Sequence, residues 1–508
     1  MKKIILFNPQ PRGYKGEERN YLIPPLSLLG VASGIVELPY EIIIVDEVLM
    51  PDYKEKLKSL LPDILCVGVT SMTGYQIKRG LEFSQYIKDN NKNIPVIWGG
   101  YHPSSLPEQT VSDPRIDIAV IGQGQITFKE LVLAIENKQD FRSVDGIVFK
   151  SNGNIIKTKE RAICDINALP PFPYNLIDIQ KYISDPANTG DRVLGYVTSQ
   201  GCPYNCLFCA ELKVTKRRWL AFSPDKIIKD WEMFHKEFGV TQITVYDSDF
   251  CVDQKRMQEL IKKLIEKNIN VSIGFINVRT DQIKNFEDET LNLLAKIKCT
   301  TFLIGAESGS DAILKFINKN CTAEDTVIAK KKLSKYGFTP MFSFMFGLGF
   351  DSSLNITPKQ EFDSILALIN KIRAVDDKSI FNIWNYVPYP GAPLTENAIR
   401  AGFVLPDTLE KWAEYHYSSV HVPWIPDSYS LKLEMLRNMI FPYTSHQFST
   451  DWDKNYKGNY KLLKKLFHNT LSVIASFRLK YKFFAFPIDY YLFRIWRQRK
   501  NTLLGQID

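Results

Sequence analysis

Along the first part of the chain, short apolar runs alternate with stretches of helical periodicity. The runs are Ile4 to Phe7, Glu41 to Val45, Ile64 to Val69, Val96 to Trp98 and Ile118 to Ile121. Runs this short, bounded by turn residues and separated by helical patterns, predict a doubly wound parallel sheet. Each gives way to small or polar residues: Asn8-Pro9, Asp46, Thr70-Ser71-Met72, Gly99-Gly100-Tyr101-His102 and Gly122-Gln123-Gly124. In an open α/β sheet the C-terminal strand ends share one edge, and ligands bind there. The pattern marks a binding edge without naming the ligand.

The pattern changes from Val144 to Lys159, where two short runs flank Ser151-Asn152-Gly153-Asn154, a type I′ hairpin signal. Next comes Ala168-Leu169-Pro170-Pro171-Phe172-Pro173, stiff and poorly suited to helix or sheet. Hairpin and Pro-rich crossing together predict an interdomain connection over 144–187, after a first domain at 1–143. Strand patterns then return at Arg192 to Thr198, Gln242 to Tyr246, Val271 to Phe275, Thr300 to Ile304, Pro340 to Phe346 and Phe381 to Tyr386. Six strands with long helical spacers predict a partial β/α barrel over 188–410, open on one side and suited to a large substrate. The remainder, 411–508, reads as a helical extension.

Composition changes this picture only at the end of the chain. The 508 residues are 45% hydrophobic and 24% charged, enough for two or three domains with full cores. No apolar run approaches the roughly 20 residues that span a bilayer. The net charge of +8 is concentrated: Lys454 to Lys500 holds 12 Lys and Arg against one acid, Asp489, which leaves the rest slightly acidic.

Chemistry enters at Gly201-Cys202-Pro203-Tyr204-Asn205-Cys206-Leu207-Phe208-Cys209-Ala210, on the loop leaving the first barrel strand. Zinc normally wants a second Cys or His pair, and none follows in the next forty residues. Disulfides do not suit a chain that opens MKKIILFNPQ, without an apolar signal segment, and has eight cysteines in 508 residues. The expected location is therefore cytoplasmic. Four thiolates close an iron–sulfur cluster; three leave one iron open to another ligand.

The C-x3-C-x2-C spacing, with Phe208 before the last cysteine and a strand before the first, resembles the signature of the radical S-adenosylmethionine superfamily. The resemblance implies a 4Fe–4S cluster on Cys202, Cys206 and Cys209. Its open iron would chelate the amino and carboxylate groups of S-adenosylmethionine, and one electron would cleave the sulfonium to a 5′-deoxyadenosyl radical. An electron donor such as a flavodoxin or ferredoxin is implied too. The following strand ends carry Asp247-Ser248-Asp249-Phe250, Asn277-Val278-Arg279 and Gly305-Ala306-Glu307-Ser308-Gly309-Ser310. By resemblance, Phe208, Asp247, Asp249, Arg279, Glu307 and Ser308 contact S-adenosylmethionine: acids accept its amino group or ribose hydroxyls, and arginine forks its carboxylate. The residues alone leave open an ion pair of Arg279 with Asp281 or Glu307, and turn or cap duty for Asp247 and Asp249. Phe346-Gly347-Leu348-Gly349 stands where relatives have Gly-x-Pro-Gly, and Pro388-Tyr389-Pro390-Gly391-Ala392-Pro393 is close to their Pro-Tyr-Pro-Gly-Thr-Pro.

A flavodoxin-like (Rossmann-type) domain directly before such a core resembles the cobalamin-binding domain of the cobalamin-dependent branch. The matching residues are Pro24-Pro25-Leu26, Asp46, Thr70, Met72, Gly99, Gly100, His102, Gly122 and Gly124. The resemblance implies that the nucleotide tail of cobalamin threads between sheet and helix, with glycines permitting close approach and hydroxyls bonding the tail. No Asp-x-His-x-x-Gly motif is present, so no histidine ligand to cobalt is expected. The chain departs at Gly122-Gln123-Gly124-Gln125, where the family commonly has Gly-Glu-Gly-Glu. For His102 a plain hydrogen-bonding role stays open. Cys66 reads as a core residue and Cys251 as structural.

Two enzymatic readings follow, and one that is not. The first is a cobalamin-dependent C-methyltransferase acting on an unactivated carbon of a bulky or lipid-like small molecule. The second keeps the radical without methyl transfer, as a cyclase, a C–C or C–O bond-forming enzyme or a rearranging enzyme, and the loss of both acids at 123 and 125 leans towards it. The third is an iron–sulfur or cobalamin module without catalysis. The basic end, where aromatics alternate with cations from Phe477 to Arg497, fits a helix packed on the barrel, peripheral contact with an anionic membrane, or, less well, nucleic acid.

Overall fold

The computed structural model describes residues 1–11, 22–185, 189–299, 301–416, 420–445 and 461–503, with backbone alone at 461–465 and 497–503. Strands β1 (Lys3–Asn8), β2 (Glu41–Asp46), β3 (Ile64–Thr70), β4 (Val96–Gly99) and β5 (Ile118–Val120) pair in parallel in the order β2-β1-β3-β4-β5. Alternate side chains enter different cores: Ile5, Phe7, Val67 and Val69 lie in one, Ile4, Leu6 and Cys66 in the other. Burial on both faces is why these runs read as continuously apolar. The order reverses between β1 and β3, the switch point at which such sheets bind ligands.

The predicted hairpin forms, with β6 (Ile147–Ser151) and β7 (Asn154–Lys157) joined through Asn152 and Gly153 at φ 50° and 78°, as a type I′ turn requires. Its place differs from the expected linker. β6 pairs antiparallel with β5, so the hairpin completes a seven-stranded first sheet. The reason is burial: Ile147, Val148 and Phe149 are all covered, while the end of β6 and most of β7 meet solvent. The connection proper is the Pro-rich segment after it, whose Phe172, Tyr174 and Ile177 pack against both cores.

The second sheet begins with β8 (Val193–Tyr196). β9 (Ser199–Gly201) and β10 (Trp219–Ala221) then form an antiparallel ribbon around the cysteine loop. β11 (Gln242–Val245), β12 (Ser272–Val278), β13 (Thr301–Glu307), β14 (Thr339–Phe346) and β15 (Ile380–Asn385) continue in parallel from β8 in chain order. Among the described residues β8 and β15 remain the two edges of a six-stranded sheet, so the barrel is open, as its strand count predicts. Thr300, the expected start of β13, lies outside the described residues. Local signals set the intervening helices. In Pro224–Phe238, Ser223 accepts a bond from the Lys226 amide, Pro224 opens the first turn and Gly239 ends the helix at φ 66°. Its buried stripe is Ile227, Ile228, Trp231 and Phe234.

Beyond the barrel the chain is helical as expected, through Asp427–Met435 and Phe441–Thr444 to a hairpin of helices Lys461–Tyr481 and Ile488–Leu503. Lys454 and Lys457 of the basic segment lie outside the described residues. Among the described residues no helix is long and apolar enough to cross a membrane.

Candidate functional site

The cysteine loop is fixed from several sides. Gly201 precedes it at φ 83°, where a Cβ would stand 2.1 Å from the Arg218 carbonyl oxygen, so only glycine fits. The Leu207 amide donates to Ile317 O (3.0 Å), Asn318 Nδ2 to Asn205 O (2.8 Å) and the Leu394 amide to Leu207 O (2.8 Å). The last of these ties the proline-rich turn at 388–393 to the loop. Cys206 is buried, while Cys202 and Cys209 are half-buried. Burial pushes the Cys202 thiol up to about 11 and that of Cys209 up to about 12, so ligation requires a metal charge to displace their protons. Among the described residues no three His, Cys, Asp or Glu side chains converge where a single ion would bind. A cube of iron and sulfur takes each thiolate on a different iron, and three thiols on one short loop fit that donor set.

Arg279, at the end of β12, donates to Cys206 Sγ (3.2 Å) and lies 3.9 Å over the Tyr204 ring. It also donates to the Lys319 carbonyl and pairs with Asp281 (2.9 Å). Burial opposes its charge, but Cys206 and Asp281 outweigh burial and hold its pKa above the usual value. The guanidinium therefore braces the cysteine loop, and the ion pair left open by the sequence is the one with Asp281. Lys319 and Glu307 form a second buried pair at 2.7 Å. Burial alone would lower the Lys319 ammonium, but Glu307 and Cys206 reverse the shift. Glu307 takes φ 59° after a bulge in β13, and Gly305 is needed beneath the pair, since a Cβ there would meet Glu307 Oε1 at 2.2 Å.

The two acids after β11 separate into different roles. Asp247 accepts from the Thr198 amide, Thr198 Oγ1 and Ser199 Oγ, each at 2.6 Å, with 1% of its surface exposed. It holds the end of β8 against the ribbon, the turn duty that the residues alone left open for it. Asp249 accepts from the Cys251 amide (2.9 Å) and Gln282 Nε2 (3.1 Å) through one oxygen, while its other oxygen is buried without a partner. Burial pushes its carboxyl up to about 6. An unmet buried acceptor beside the cysteine loop fits a bound ammonium or hydroxyl. Ser308 is buried, its Oγ accepting from the Ser310 amide (3.1 Å). Phe208 packs with Leu207 against the apolar cluster around Leu348 and Tyr386.

A cavity of about 460 Å³ lies between the first sheet and the ribbon residues that lead into the cysteine loop. One wall is the sheet edge, with Thr70, Met72, Gly99, Gly100, Gly122, Gly124 and Gln125; the other is Ser199, Gln200, Gly201, Tyr246 and Ser248. It also penetrates between sheet and helices past Leu6, Leu28, Gly68 and Phe128. A Cβ on Gly99 or Gly122 would meet nothing nearer than 3.9 Å, so both glycines border open space. Gln125 presents a buried oxygen without a partner. A slot with bare glycines and an unmet amide suits the elongated tail of cobalamin. Tyr101 lines the cavity and donates to Glu211 Oε2 (2.8 Å), linking the sheet edge to the helix just after Cys209.

Two expected cobalamin contacts lie elsewhere. Asp46 is buried and accepts from Asn8 Nδ2 (3.0 Å), the Tyr182 hydroxyl (3.0 Å) and the Val48 amide (3.1 Å), tying β1 and β2 to the interdomain connection. His102 is fully buried, with Nδ1 3.0 Å from Thr73 Oγ1 and its ring edge-on to Trp412. Burial pushes His102 down to about 3 and keeps it neutral. Asp46 supports the edge from behind, whereas His102 also holds a buried Nε2 without a partner. Gln123 gives its own substitution a structural reason: its amide accepts from the Cys164 backbone N–H (2.8 Å) and donates to the Cys164 carbonyl (3.3 Å). A carboxylate could not do both.

Sequence reasoning missed Lys319, Tyr204, Gln282 and the Tyr101–Glu211 link. Lys319 lies in Asn318-Lys319-Asn320, a loop without a motif, and only an almost buried lysine in the fold gives it away. Tyr204 and Glu211 had a usable signal in their nearness to the cysteines.

Comparison with known proteins follows the same division. Residues 196–353 match the Radical SAM superfamily model, and residues 16–132 match the B12 binding domain model. An uncharacterized methyltransferase of Pyrococcus horikoshii is 28% identical over 399 residues, covering 77% of this chain and 81% of its own. The anaerobic magnesium-protoporphyrin IX monomethyl ester cyclase of Synechocystis is 25% identical over 322 residues, covering 62% of this chain; the match spans 63% of the cyclase, under two thirds of its length. Among solved structures, the radical S-adenosylmethionine methyltransferase TsrM from Kitasatospora setae, with cobalamin and a 4Fe–4S cluster bound, superposes with a TM-score of 0.62 at 16% identity, covering 79% of this chain and 75% of that one. At that identity the likeness is one of fold.

Proposed function

Because this chain is a radical S-adenosylmethionine enzyme with a B12-binding domain ahead of its barrel, we propose that it methylates an unactivated carbon of a bulky or lipid-like small molecule. The cluster with S-adenosylmethionine supplies a hydrogen-abstracting radical, and cobalamin supplies a methyl carrier. The observation behind the reading is the shared cavity, bordered by the sheet edge on one side and by the residues leading into the cysteine loop on the other. A methyl carrier at this cavity and a radical source on the loop that begins at its Gly201 wall could act in turn on one carbon, whereas distant sites would require the substrate to move.

In this reading Cys202, Cys206 and Cys209 hold the cluster, with Arg279 steadying Cys206. Asp249 accepts the S-adenosylmethionine amino group through its unmet oxygen. Glu307, held by Lys319, and Ser308 stand at the end of β13, and Phe208 packs behind the loop. Thr70, Met72, Gly99, Gly100, Gly122 and Gly124 border the cobalamin side. The sheet does not close between β8 and β15, which in this reading suits a large substrate.

A second reading, a radical cyclase without methyl transfer, draws on the likeness to the Synechocystis cyclase. The loss of acid at position 123 no longer favours it, because Gln123 is explained by its backbone pairing. Product analysis separates the two. Anaerobic turnover with S-adenosylmethionine gives both S-adenosylhomocysteine and 5′-deoxyadenosine if methyl is transferred, and only the latter if it is not.

A further inference from the structure

Large exposed apolar side chains are unevenly distributed over the molecule. Among the described residues eleven of twenty-one fall between Leu466 and Ile495, on the helical hairpin at the end of the chain. Phe486 is 78% exposed, Ile488 66% and Leu492 63%, with Val473, Phe477 and Tyr481 also on the surface. Scattered single residues of this kind need no explanation, but a concentrated patch marks an interaction surface.

The patch is built, not frayed. Arg478 is 5% exposed and donates to the carbonyls of Phe483 (2.8 Å), Ala485 (3.2 Å) and Phe486 (3.0 Å), while its Nε donates to Asp489 (2.7 Å). One buried guanidinium thus fixes the turn between the two helices and turns Phe486 outward at φ 49°. The opposite face is anchored: Leu471, Ala475, Leu479, Tyr490 and Phe493 are buried, and Tyr443 meets Phe493 edge-on at 5.6 Å. An apolar tip held this way loses little conformational freedom on docking.

Charge selects the occupant. From Lys461 to Leu503 the sequence holds ten Lys and Arg against one acid, Asp489, which Arg478 already engages. Lys480 and Arg494 are exposed among the aromatics, as is Lys482, which also pairs with Asp363 (3.3 Å). Rings and aliphatic side chains at a turn, interleaved with cations and lacking free acids, match the boundary of an anionic bilayer, where rings enter the interfacial layer and cations meet headgroups. No described helix could span the bilayer, so contact is confined to its surface. We propose that this hairpin docks the enzyme peripherally on anionic lipid membranes. The inference is independent of which reaction the barrel performs.

Flotation of the full-length, cluster-loaded protein with vesicles tests it. Wild type should float with phosphatidylglycerol-rich vesicles and not with pure phosphatidylcholine. Phe486→Asp with Leu492→Asp should weaken flotation at least about ten-fold, and Lys480→Gln with Arg494→Gln by about five-fold per cation at low salt. Iron content should not change in either variant, since none of these residues approaches the cysteine loop. Failure of wild type to float, or flotation of the aspartate variant at the wild-type level, overturns the proposal. So does an apolar face occupied by a second copy, seen as a dimer by light scattering that the aspartate variant converts to monomer, or tight RNA binding without vesicle binding.

Discussion

Removing the ammonium that faces Glu307 tests whether a buried ion pair supports the wall beside the cysteine loop. Lys319→Met keeps most of the side-chain length and deletes the charge. Lys319 and Glu307 are only 6% and 9% exposed and meet at 2.7 Å, so solvent screening does little for a carboxylate left alone. Removing one member of such a pair costs about 3–5 kcal/mol, because the remaining charge keeps its desolvation penalty without a partner. Glu307→Gln should be costly for the complementary reason. The double variant, neutral on both sides, should recover at least about 2 kcal/mol relative to the sum of the single losses. Urea unfolding of all four proteins gives the coupling energy directly. Iron content should survive in Lys319→Met, since Arg279 bonds the backbone carbonyl of Lys319 and not its side chain. Additivity within about 0.5 kcal/mol would refute the assignment of the pair as a mutually dependent support.

Three further outcomes follow from the geometry. Glu361, 2% exposed, accepts from the amides of Gly347, Leu348 and Gly349 at 2.9, 2.9 and 3.3 Å, and burial pushes its carboxyl up to about 7. With the folded value above the unfolded one, its contribution to stability is whole below about pH 4.5 and is lost as pH rises through 7, on the order of 3 kcal/mol in all; Glu361→Gln should flatten that slope in a pH series of urea unfolding. Cys206→Ala removes a thiol and the partner of Arg279, and iron analysis with a cleavage assay should find both the cluster and 5′-deoxyadenosine formation lost. Gln123→Glu sets a carboxylate against the Cys164 carbonyl and should lower the thermal stability of the first domain by about 1–3 kcal/mol.

The strands were legible because burial on both faces leaves an unmistakable apolar run, and the turn residues after each run pointed to the edge that borders the cavity. The hairpin at 151–154 was legible from Asn-Gly alone, but not its partner, because strand pairing is a tertiary fact and Val148 could as well have covered a linker. The cysteine spacing marked the candidate cluster loop directly. Polar residues were harder: Asp247 and Asp249 stand two apart in the same motif, yet one is spent on Thr198 and Ser199 and the other keeps an oxygen free. Nothing in local sequence distinguishes them, since the difference lies in which distant residues each meets. Asp46 and His102 are alike in this respect, occupying the expected loops without lining the cavity. Lys319 is visible only once Glu307 is brought across the fold to meet it.

The central claim is that cobalamin and the cluster serve one chamber. Gly99 has ordinary backbone angles and faces open space, with Val120 Cβ the nearest atom at 3.9 Å, so Gly99→Leu should fold and fill the cobalamin side of the cavity. The decisive measurement is the pair of products formed from S-adenosylmethionine under anaerobic reduction by wild type and by Gly99→Leu, with cobalt and iron counted in each. Wild type should form S-adenosylhomocysteine and 5′-deoxyadenosine; Gly99→Leu should keep its iron, lose cobalt, and form 5′-deoxyadenosine alone. S-adenosylhomocysteine from a cobalt-free Gly99→Leu protein, or its absence from cobalt-loaded wild type, would contradict the account.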